Sequence, residues 1–322
     1  MKSNLFKIIK SALFLVLFLL FIISCKNQEK KSEEVISNTT EKKAPFFKLS
    51  LAQWSLHKAI NEGETLDPVD FAQKASSFGF EGIEYVSQLY KKKIETIGMD
   101  SLLNILNTNS KKYKVKNLLI MVDGEGDLAS VDELKRDEAV ENHKKWVDAA
   151  AFLGCHSIRV NLSGTFDPEI WKVAAFDGLS KLASYAAEQN INVIVENHGG
   201  LSSNAAMLVG VIQKVNTSNC GVLPDFGNFC IKKVGSECVD DYDRYKGVEE
   251  MMPYAKAVSA KSYAFDKNGF ETTIDYAKML QIVKNAGYTG FIGVEFEGSE
   301  ISEEEGIKLT KELLLKVEEQ LL

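Results

Sequence analysis

The chain has 322 residues, of which 45% are hydrophobic, and a formal net charge of −7, so its length suits one large α/β domain. Cleavage of the N-terminal signal predicted below would remove three lysines and change the net charge from −7 to −10. Affinity for nucleic acid comes mainly from basic contacts to phosphates, so we expect no nucleic-acid partner.

The first 24 residues have the pattern of a secretory signal. Three lysines precede an apolar stretch at 11–23, which closes on Ile-Ile-Ser-Cys25. A basic region, a short apolar core and small residues before the cut are typical of such signals. The Ile-Ile-Ser-Cys ending resembles a bacterial lipobox, which implies cleavage before Cys25 and lipidation of its thiol. An uncleaved membrane anchor is the alternative, although the apolar run is short for a span.

Residues 25–45 form the predicted flexible tether, because they are rich in Lys, Glu, Ser, Asn and Thr and contain almost nothing to bury. The expected location is the bacterial cell envelope, with the chain facing the periplasm or carried in the outer membrane. Membrane contact is expected only through the lipid on Cys25.

Residues 46–322 form the predicted single domain, in which short strand-like runs alternate with helical segments eight times. The predicted strands are 48–53, 82–86, 115–121, 157–161, 192–196, 221–225, 257–261 and 291–295. Strict alternation predicts a parallel sheet, and eight units predict its closure into a (β/α)8 TIM barrel. An open doubly wound sheet would more often show a glycine-rich phosphate loop after the first strand, where this chain has Gln-Trp-Ser-Leu-His at 53–57.

Side chains alternate along a strand, so parity predicts which of them face the barrel interior. The predicted inward set is polar at the C-terminal strand ends, where barrel active sites are built: Gln53, His57, Glu84, Arg159, Asn161, Glu196, His198, Asp225, Ser259, Lys261, Glu295 and Glu297. Three strands end on the carboxylates Glu196, Asp225 and Glu295. Because an unpaired buried carboxylate is costly, a shared divalent cation is the simplest way to make them tolerable.

Five short motifs, in this order and spacing, resemble the xylose isomerase-like barrel superfamily of sugar isomerases and epimerases: Phe-Glu-Gly-Ile-Glu84, Leu-Gly-Cys155, Val-Glu196-Asn-His-Gly199, Pro-Asp225 and Gly-Val-Glu295. The resemblance covers nearly everything after the tether and supports the barrel. It implies one Mn²⁺ or Mg²⁺, with Zn²⁺ as a weaker candidate, held by Glu196, Asp225 and Glu295.

The family's fourth ligand is a histidine on the seventh strand, and Ser259 stands there in this chain. The remaining oxygen-rich site still suits a hard cation, and His198 is a candidate replacement ligand. A second histidine of the family, in the loop after the sixth strand, falls at about Asn228.

The resemblance implies that Glu196 and Glu295 are an acid/base pair. One removes a proton next to a carbonyl, the metal stabilises the enediolate, and the other returns the proton on the opposite face. Lys261 and His57 join them as expected catalytic residues. The expected substrate-binding residues are Glu84, Arg159, His198, Asn228 and Trp54. For Glu84 and Arg159 an ion pair inside the barrel is the alternative, and for Trp54 a buried aromatic.

The cysteines fall into two groups. Cys155 and Cys220 precede apolar strands and are expected to be small buried residues. Cys230 and Cys238 lie in one loop, where an exported protein can oxidise them to a disulfide.

Three functions remain open at this point. The first is a lipid-anchored, metal-dependent isomerase or epimerase of a small carbohydrate. The second is a 3-keto-glycoside lyase or hydrolase that uses the same metal and carboxylates, with His57 or His198 protonating the departing oxygen. The third is a non-catalytic barrel that binds glycans. A homo-oligomer is compatible with all three.

Overall fold

Eight parallel strands build the central sheet of the computed structural model, which describes residues 45–63 and 65–321. They are β1 (Lys48–Ala52), β2 (Gly82–Val86), β3 (Lys116–Met121), β4 (Ser157–Val160), β5 (Asn192–Glu196), β6 (Cys220–Leu223), β9 (Val258–Ser262) and β10 (Phe291–Phe296). The predicted signal at 1–24, Cys25 and nearly all of the predicted tether lie outside the described residues.

The strand order is β6-β5-β4-β3-β2-β1-β10-β9, and the seam between β6 and β9 is joined by backbone bonds just beyond β6. Ser259 N donates to Pro224 O at 2.9 Å, and Phe226 N donates to Ser259 O at 3.1 Å. The predicted TIM barrel is therefore confirmed, and β9 and β10 are its seventh and eighth strands.

The helices lie between the strands: α1 (His57–Asn61), α2 (Phe71–Ser77), α3 (Lys91–Ile97), α4 (Met99–Tyr113), α5 (Glu133–Leu153), α6 (Pro168–Ala187), α7 (Ala205–Val215), α8 (Arg244–Met251), α9 (Tyr276–Asn285) and α10 (Glu303–Leu321). Asp132 and Asp167 cap α5 and α6, because their side chains accept backbone N–H groups of the first turn. Within the described residues, each helix is too short or too polar to cross a bilayer.

The apolar strand residues pack between the sheet and the helices, as their parity predicts. Val193 and Val195 on β5 and Ile292 and Val294 on β10 are fully buried there. The alternate positions face the barrel interior and carry the polar residues of the site.

The parity argument fails for His57, since β1 ends at Ala52. The chain then makes a 3-10 turn over Gln53–Leu56, and His57 begins α1. Gln53 is structural here, because its Oε1 accepts Val86 N at 3.0 Å and its Nε2 donates to Tyr90 Oη at 2.8 Å. These bonds tie the end of β1 to the end of β2.

The segment that contains Cys230 and Cys238 forms an antiparallel hairpin of β7 (Cys230–Val234) and β8 (Glu237–Asp241), not a loop. A disulfide joins Cys230 to Cys238 with a Cα–Cα distance of 5.9 Å, which confirms the predicted pair. Cys155 and Cys220 are buried, as predicted. Tyr242 N donates to Phe229 O at 2.9 Å and fixes the hairpin to the loop that follows β6.

Candidate active site

The three predicted carboxylates meet at the C-terminal mouth of the barrel. Glu196 ends β5, Asp225 follows β6, and Glu295 lies on β10, and none of their side chains is more than 3% exposed. One oxygen from each lies within 4.8 Å of the other two. Barrel closure thus brings together acids that are 29 and 70 residues apart in sequence.

The hydroxyl of Ser259 bridges two of these acids. Its Oγ lies 2.7 Å from Asp225 Oδ2 and 3.0 Å from Glu295 Oε2. A hydroxyl has one proton to donate, so the second short contact needs a proton on a carboxyl group or a cation nearby. Burial raises the pKa of Asp225 to about 7 in spite of the Lys261 ammonium, which makes Asp225 a suitable carrier of that proton.

Glu196 has one satisfied and one unsatisfied oxygen. Its Oε1 accepts from Asn228 Nδ2 at 3.0 Å. Its Oε2 lies 2.8 Å from Arg159 Nε, but the geometry is not that of a hydrogen bond, so Oε2 lacks a hydrogen-bond partner among the described residues. Burial raises the pKa of Glu196 to about 7, although the Arg159 charge opposes the rise.

Lys261 supplies positive charge to the cluster from β9. Its Nζ lies 2.9 Å from Glu295 Oε1, 3.1 Å from Glu297 Oε2 and 3.9 Å from Asp225 Oδ2. Burial by itself raises the pKa of Glu295, but Lys261 outweighs it and the pKa is lowered. Glu295 is therefore held ionised, whereas Asp225 and Glu196 retain protons more readily.

Arg159 is held by Asp123, a residue that the sequence reasoning missed. Arg159 Nη1 donates to Asp123 Oδ1 at 2.9 Å, and Asn161 Nδ2 donates to the same oxygen at 2.7 Å. Arg159 is 4% exposed and forms ion pairs with Asp123 and Glu196, so the predicted pairing inside the barrel is present. Asp123 follows an apolar strand as Glu196 and Asp225 do, so the same signal could have found it.

The loop after β6 fixes Asp225 from several directions. Asp225 Oδ1 accepts Gly227 N at 2.9 Å and Asn228 N at 2.8 Å. Asn197 binds the backbone of Asp225 through both ends of its amide, at 2.8 Å to N and 3.0 Å to O. A Cβ on Gly227 would lie 2.4 Å from Tyr263 Oη, so a larger residue here would force Tyr263 and Lys261 to shift. Asn197 is a second residue that the sequence reasoning missed.

Glu84 lies deeper in the barrel than the cluster. A Cβ on Gly293, two residues before Glu295, would meet Glu84 Oε1 at 2.5 Å. That oxygen accepts from Ser50 Oγ at 2.6 Å, and burial raises the pKa of Glu84 to about 8. Its contacts with Ser50 and Gly293 place the Glu84 carboxyl group inside the barrel, below Glu295.

Trp54 and His57 lie at the rim of the mouth. Their rings stack with centroids 4.5 Å apart, and Trp54 Nε1 donates to Glu297 Oε1. Through Glu297 they connect to Lys261. His198 is exposed just beyond the end of β5, and the three-carboxylate cluster of the described residues does not include it.

The residues present fit a hard divalent cation. Mg²⁺ and Mn²⁺ take oxygen ligands at about 2.1 Å and Ca²⁺ at about 2.4 Å, so oxygens on opposite sides of an ion lie about 4–5 Å apart. One oxygen of each carboxylate lies within 4.8 Å of the others, close enough for the three side chains to share one ion. Glu196 Oε2 is buried and, although Arg159 Nε lies 2.8 Å away, has no hydrogen-bond partner among the described residues, and Lys261 approaches Glu295 at Oε1. Zn²⁺ favours nitrogen and sulfur, which the cluster does not offer.

Metal binding should therefore strengthen as the pH rises. Folded Asp225 and Glu196 titrate near pH 7, whereas carboxyl groups of the unfolded chain titrate near about pH 4. Between these pH values the folded metal-free state binds more protons than the unfolded state does. Its free energy of unfolding therefore falls as the pH rises. Mg²⁺ binding displaces those protons, so the rise in Tm that Mg²⁺ causes should grow from about pH 5 to about pH 8. Thermal unfolding with and without MgCl₂ measures this, with Asp225→Asn as control. An increment independent of pH would contradict the prediction.

The comparisons with known proteins agree with this architecture. The family described as xylose isomerase-like TIM barrel matches residues 72–317. The alpha subunit of 3′-dehydrocarminate deglycosidase from a Microbacterium species is 32% identical over 68 residues. That match covers 20% of this chain and 20% of the relative's own length.

Solved structures show the same fold at low identity. A D-tagatose 3-epimerase-like protein superposes with a TM-score of 0.66 and 17% identity, over 86% of this chain and 100% of the other. A xylose isomerase-like TIM barrel protein from Mycobacterium smegmatis, in complex with magnesium, gives a TM-score of 0.60 and 16% identity, over 85% of this chain and 97% of the other.

Proposed function

The chain belongs to the xylose isomerase-like TIM barrel family, and from that membership we propose that it is a divalent-metal-dependent sugar isomerase or epimerase. The observation that carries the proposal is the convergence of Glu196, Asp225 and Glu295, with one oxygen of each within 4.8 Å of the others. Carboxylates of this kind can both hold a cation and move a proton. The proposed substrate is a small carbohydrate with a carbonyl group.

Glu196 and Glu295 are the proposed acid/base pair. They project from β5 and β10, which are separated by β6 and β9 around the closed sheet, so they can approach one carbon from two sides. In one direction a carboxylate takes the proton next to the carbonyl, and its partner returns a proton to the opposite face. The cation, when bound, supplies electrostatic stabilisation of the negative charge that develops on oxygen.

The neighbouring side chains position this pair. Asn228 Nδ2 donates to Glu196 Oε1 at 3.0 Å, and Oε2 faces Arg159 without a hydrogen-bond partner among the described residues. Lys261 keeps Glu295 ionised and limits the net charge of the cluster. The pKa of Glu196, raised to about 7, is close to the value that serves proton transfer best at neutral pH.

A second candidate, a lyase or hydrolase of 3-keto-glycosides, is favoured by the short match to a deglycosidase subunit. The same proton removal next to a carbonyl would then be followed by loss of the glycosidic substituent. The departing oxygen needs a proton donor, and His198, exposed at the mouth, or His57 at its rim is the candidate. The third candidate, a glycan-binding barrel without catalysis, requires neither the cation nor the proton transfer.

We also propose that the protein works in the cell envelope, anchored by a lipid on Cys25. The Cys230–Cys238 disulfide supports export, because such bonds persist in oxidising compartments.

Proton exchange with solvent tests the proposed function. The purified full-length chain with Mn²⁺ or Mg²⁺ is incubated in deuterated water with ketohexoses and with 3-keto-glucosides, and mass spectrometry follows deuterium uptake. Incorporation next to the carbonyl supports the proton-transfer chemistry, and product analysis separates an isomer from a released aglycone. If neither deuterium exchange nor product appears with any sugar of the panel, the hypothesis of a glycan-binding barrel without catalysis remains.

A further inference from the structure

A cavity of about 490 Å³ lies beside the candidate active site, among the connections that follow β2 and β3. Its lining includes Ser87, Gln88, Lys91, Met99, Asp123 and Trp146. This volume lies within the range of small-molecule sites, about 300–1,000 Å³. The function proposed above does not use it.

One side chain separates the cavity wall from the proposed catalytic acid. Asp123 lines the cavity and accepts from Arg159 Nη1 at 2.9 Å, while Arg159 Nε lies 2.8 Å from Glu196 Oε2. Ser87 fixes Asp123 in this wall, because its Oγ accepts Asp123 N at 2.9 Å. Two ion pairs, Asp123–Arg159 and Arg159–Glu196, therefore link the cavity wall to the proposed catalytic acid.

The charges of the lining cancel. Lys145 Nζ lies 2.7 Å from Glu125 Oε2, and Asp123 is neutralised by its guanidinium partner. The remaining charged residues, Lys91 and Glu95, have opposite signs and lie four positions apart on α3. No ammonium is in excess among the described lining residues, so the cavity does not select a phosphate or a carboxylate.

The rest of the lining combines apolar and hydrogen-bonding surface. Ile94 and Met99 are half-buried, and the exposed Gln88 contributes an amide. Apolar surface beside an uncharged amide suits a sugar ring or a small neutral aglycone, which presents C–H faces and hydroxyl edges.

We propose that this cavity binds the glycosidic substituent of the substrate, a second sugar ring or a small uncharged aglycone. This inference rests on the proposed function, because it places the carbonyl-bearing ring of the substrate at Glu196. The substrate is then a neutral glycoside larger than a monosaccharide.

The test fills the cavity without touching the carboxylates. Gln88 is exposed and lines the cavity, so Gln88→Trp adds bulk there, and Gln88→Ala at the same position adds none. Binding of cellobiose, lactose and phenyl β-D-glucoside to the full-length chain is measured by saturation-transfer NMR, with D-fructose as the monosaccharide probe. Gln88→Trp should weaken at least one glycoside by about tenfold or more. Gln88→Ala should change it little, and D-fructose should bind both variants like the unmodified chain.

Two results would overturn the proposal: no glycoside binds the unmodified chain, or Gln88→Trp weakens D-fructose as much as the glycosides. The measured quantity is binding and not turnover. Failure of this inference, seen as unchanged glycoside binding in Gln88→Trp, is therefore distinguishable from failure of the proposed chemistry, seen as absent deuterium exchange. Equal thermal stability of the two variants excludes misfolding as the cause of a loss.

Discussion

Replacement of Glu196 by glutamine should lower the rate of deuterium exchange by about 10²–10⁴-fold, the usual contribution of a positioned general acid or base. The amide keeps the size of the carboxyl group but cannot accept the substrate proton as a base. It also removes a negative charge from the proposed cation site, so Mn²⁺ affinity should fall in the same variant. Exchange rates by mass spectrometry and Mn²⁺ titration by calorimetry measure the two effects.

Glu318→Gln is the matched control for this variant. Glu318 on α10 is also 1% exposed and also has an oxygen without a hydrogen-bond partner among the described residues. It lies outside the barrel mouth, so its replacement should leave exchange and metal binding unchanged. Equal exchange rates in Glu196→Gln and Glu318→Gln would refute the assigned role of Glu196.

Replacement of Lys261 by methionine should lower the free energy of unfolding by about 3–5 kcal/mol near pH 8, because it removes one partner of a buried ion pair. Lys261 and Glu295 are only 1% and 3% exposed, so water cannot replace the lost ammonium. At about pH 5 the loss should be smaller, since Glu295 without its cation has a higher pKa and takes up a proton. Urea unfolding at the two pH values measures this difference.

The same variant gives a sharp test of the metal site. Without the ammonium the three carboxylates attract a divalent cation more strongly, so Mg²⁺ should restore part of the lost stability by binding only the folded state. Lys311→Met is the control, because Lys311 Nζ donates to the backbone carbonyls of Phe78 and Gly79 and does not contact the cluster. If Mg²⁺ stabilises neither variant, the cluster is not a cation site.

The fold and the three carboxylates could be predicted because both leave local signals. Strands and helices alternate along the chain, and an acid at the end of a hydrophobic run is conspicuous. Asp123 has the same signal, but the acidic stretch that follows it, Gly-Glu-Gly-Asp127, makes it look like an ordinary loop. Its role depends on Arg159, which is 36 residues away in sequence.

The errors have equally physical causes. Side chains alternate between the two faces only while the backbone is extended. Because the chain turns at Gln53, strand parity does not predict the direction of the His57 side chain. The β7–β8 hairpin is mostly exposed and charged, so it has no buried face from which strands could be predicted. The partners of Lys261 come from β6, β10 and the segment beyond β10, and only barrel closure makes them neighbours.

The bonds between Ser259 and the segment Pro224–Phe226 have a consequence for how this protein can diversify. They complete the cylinder, and the residues beside them carry the reactive groups, so insertions there would open the wall and scatter the acids at once. The disulfide-linked β7–β8 hairpin, a few positions later, neither closes the barrel nor carries these acids. We therefore expect the fold to tolerate exchange of this hairpin in laboratory grafts better than insertions into the segment before it.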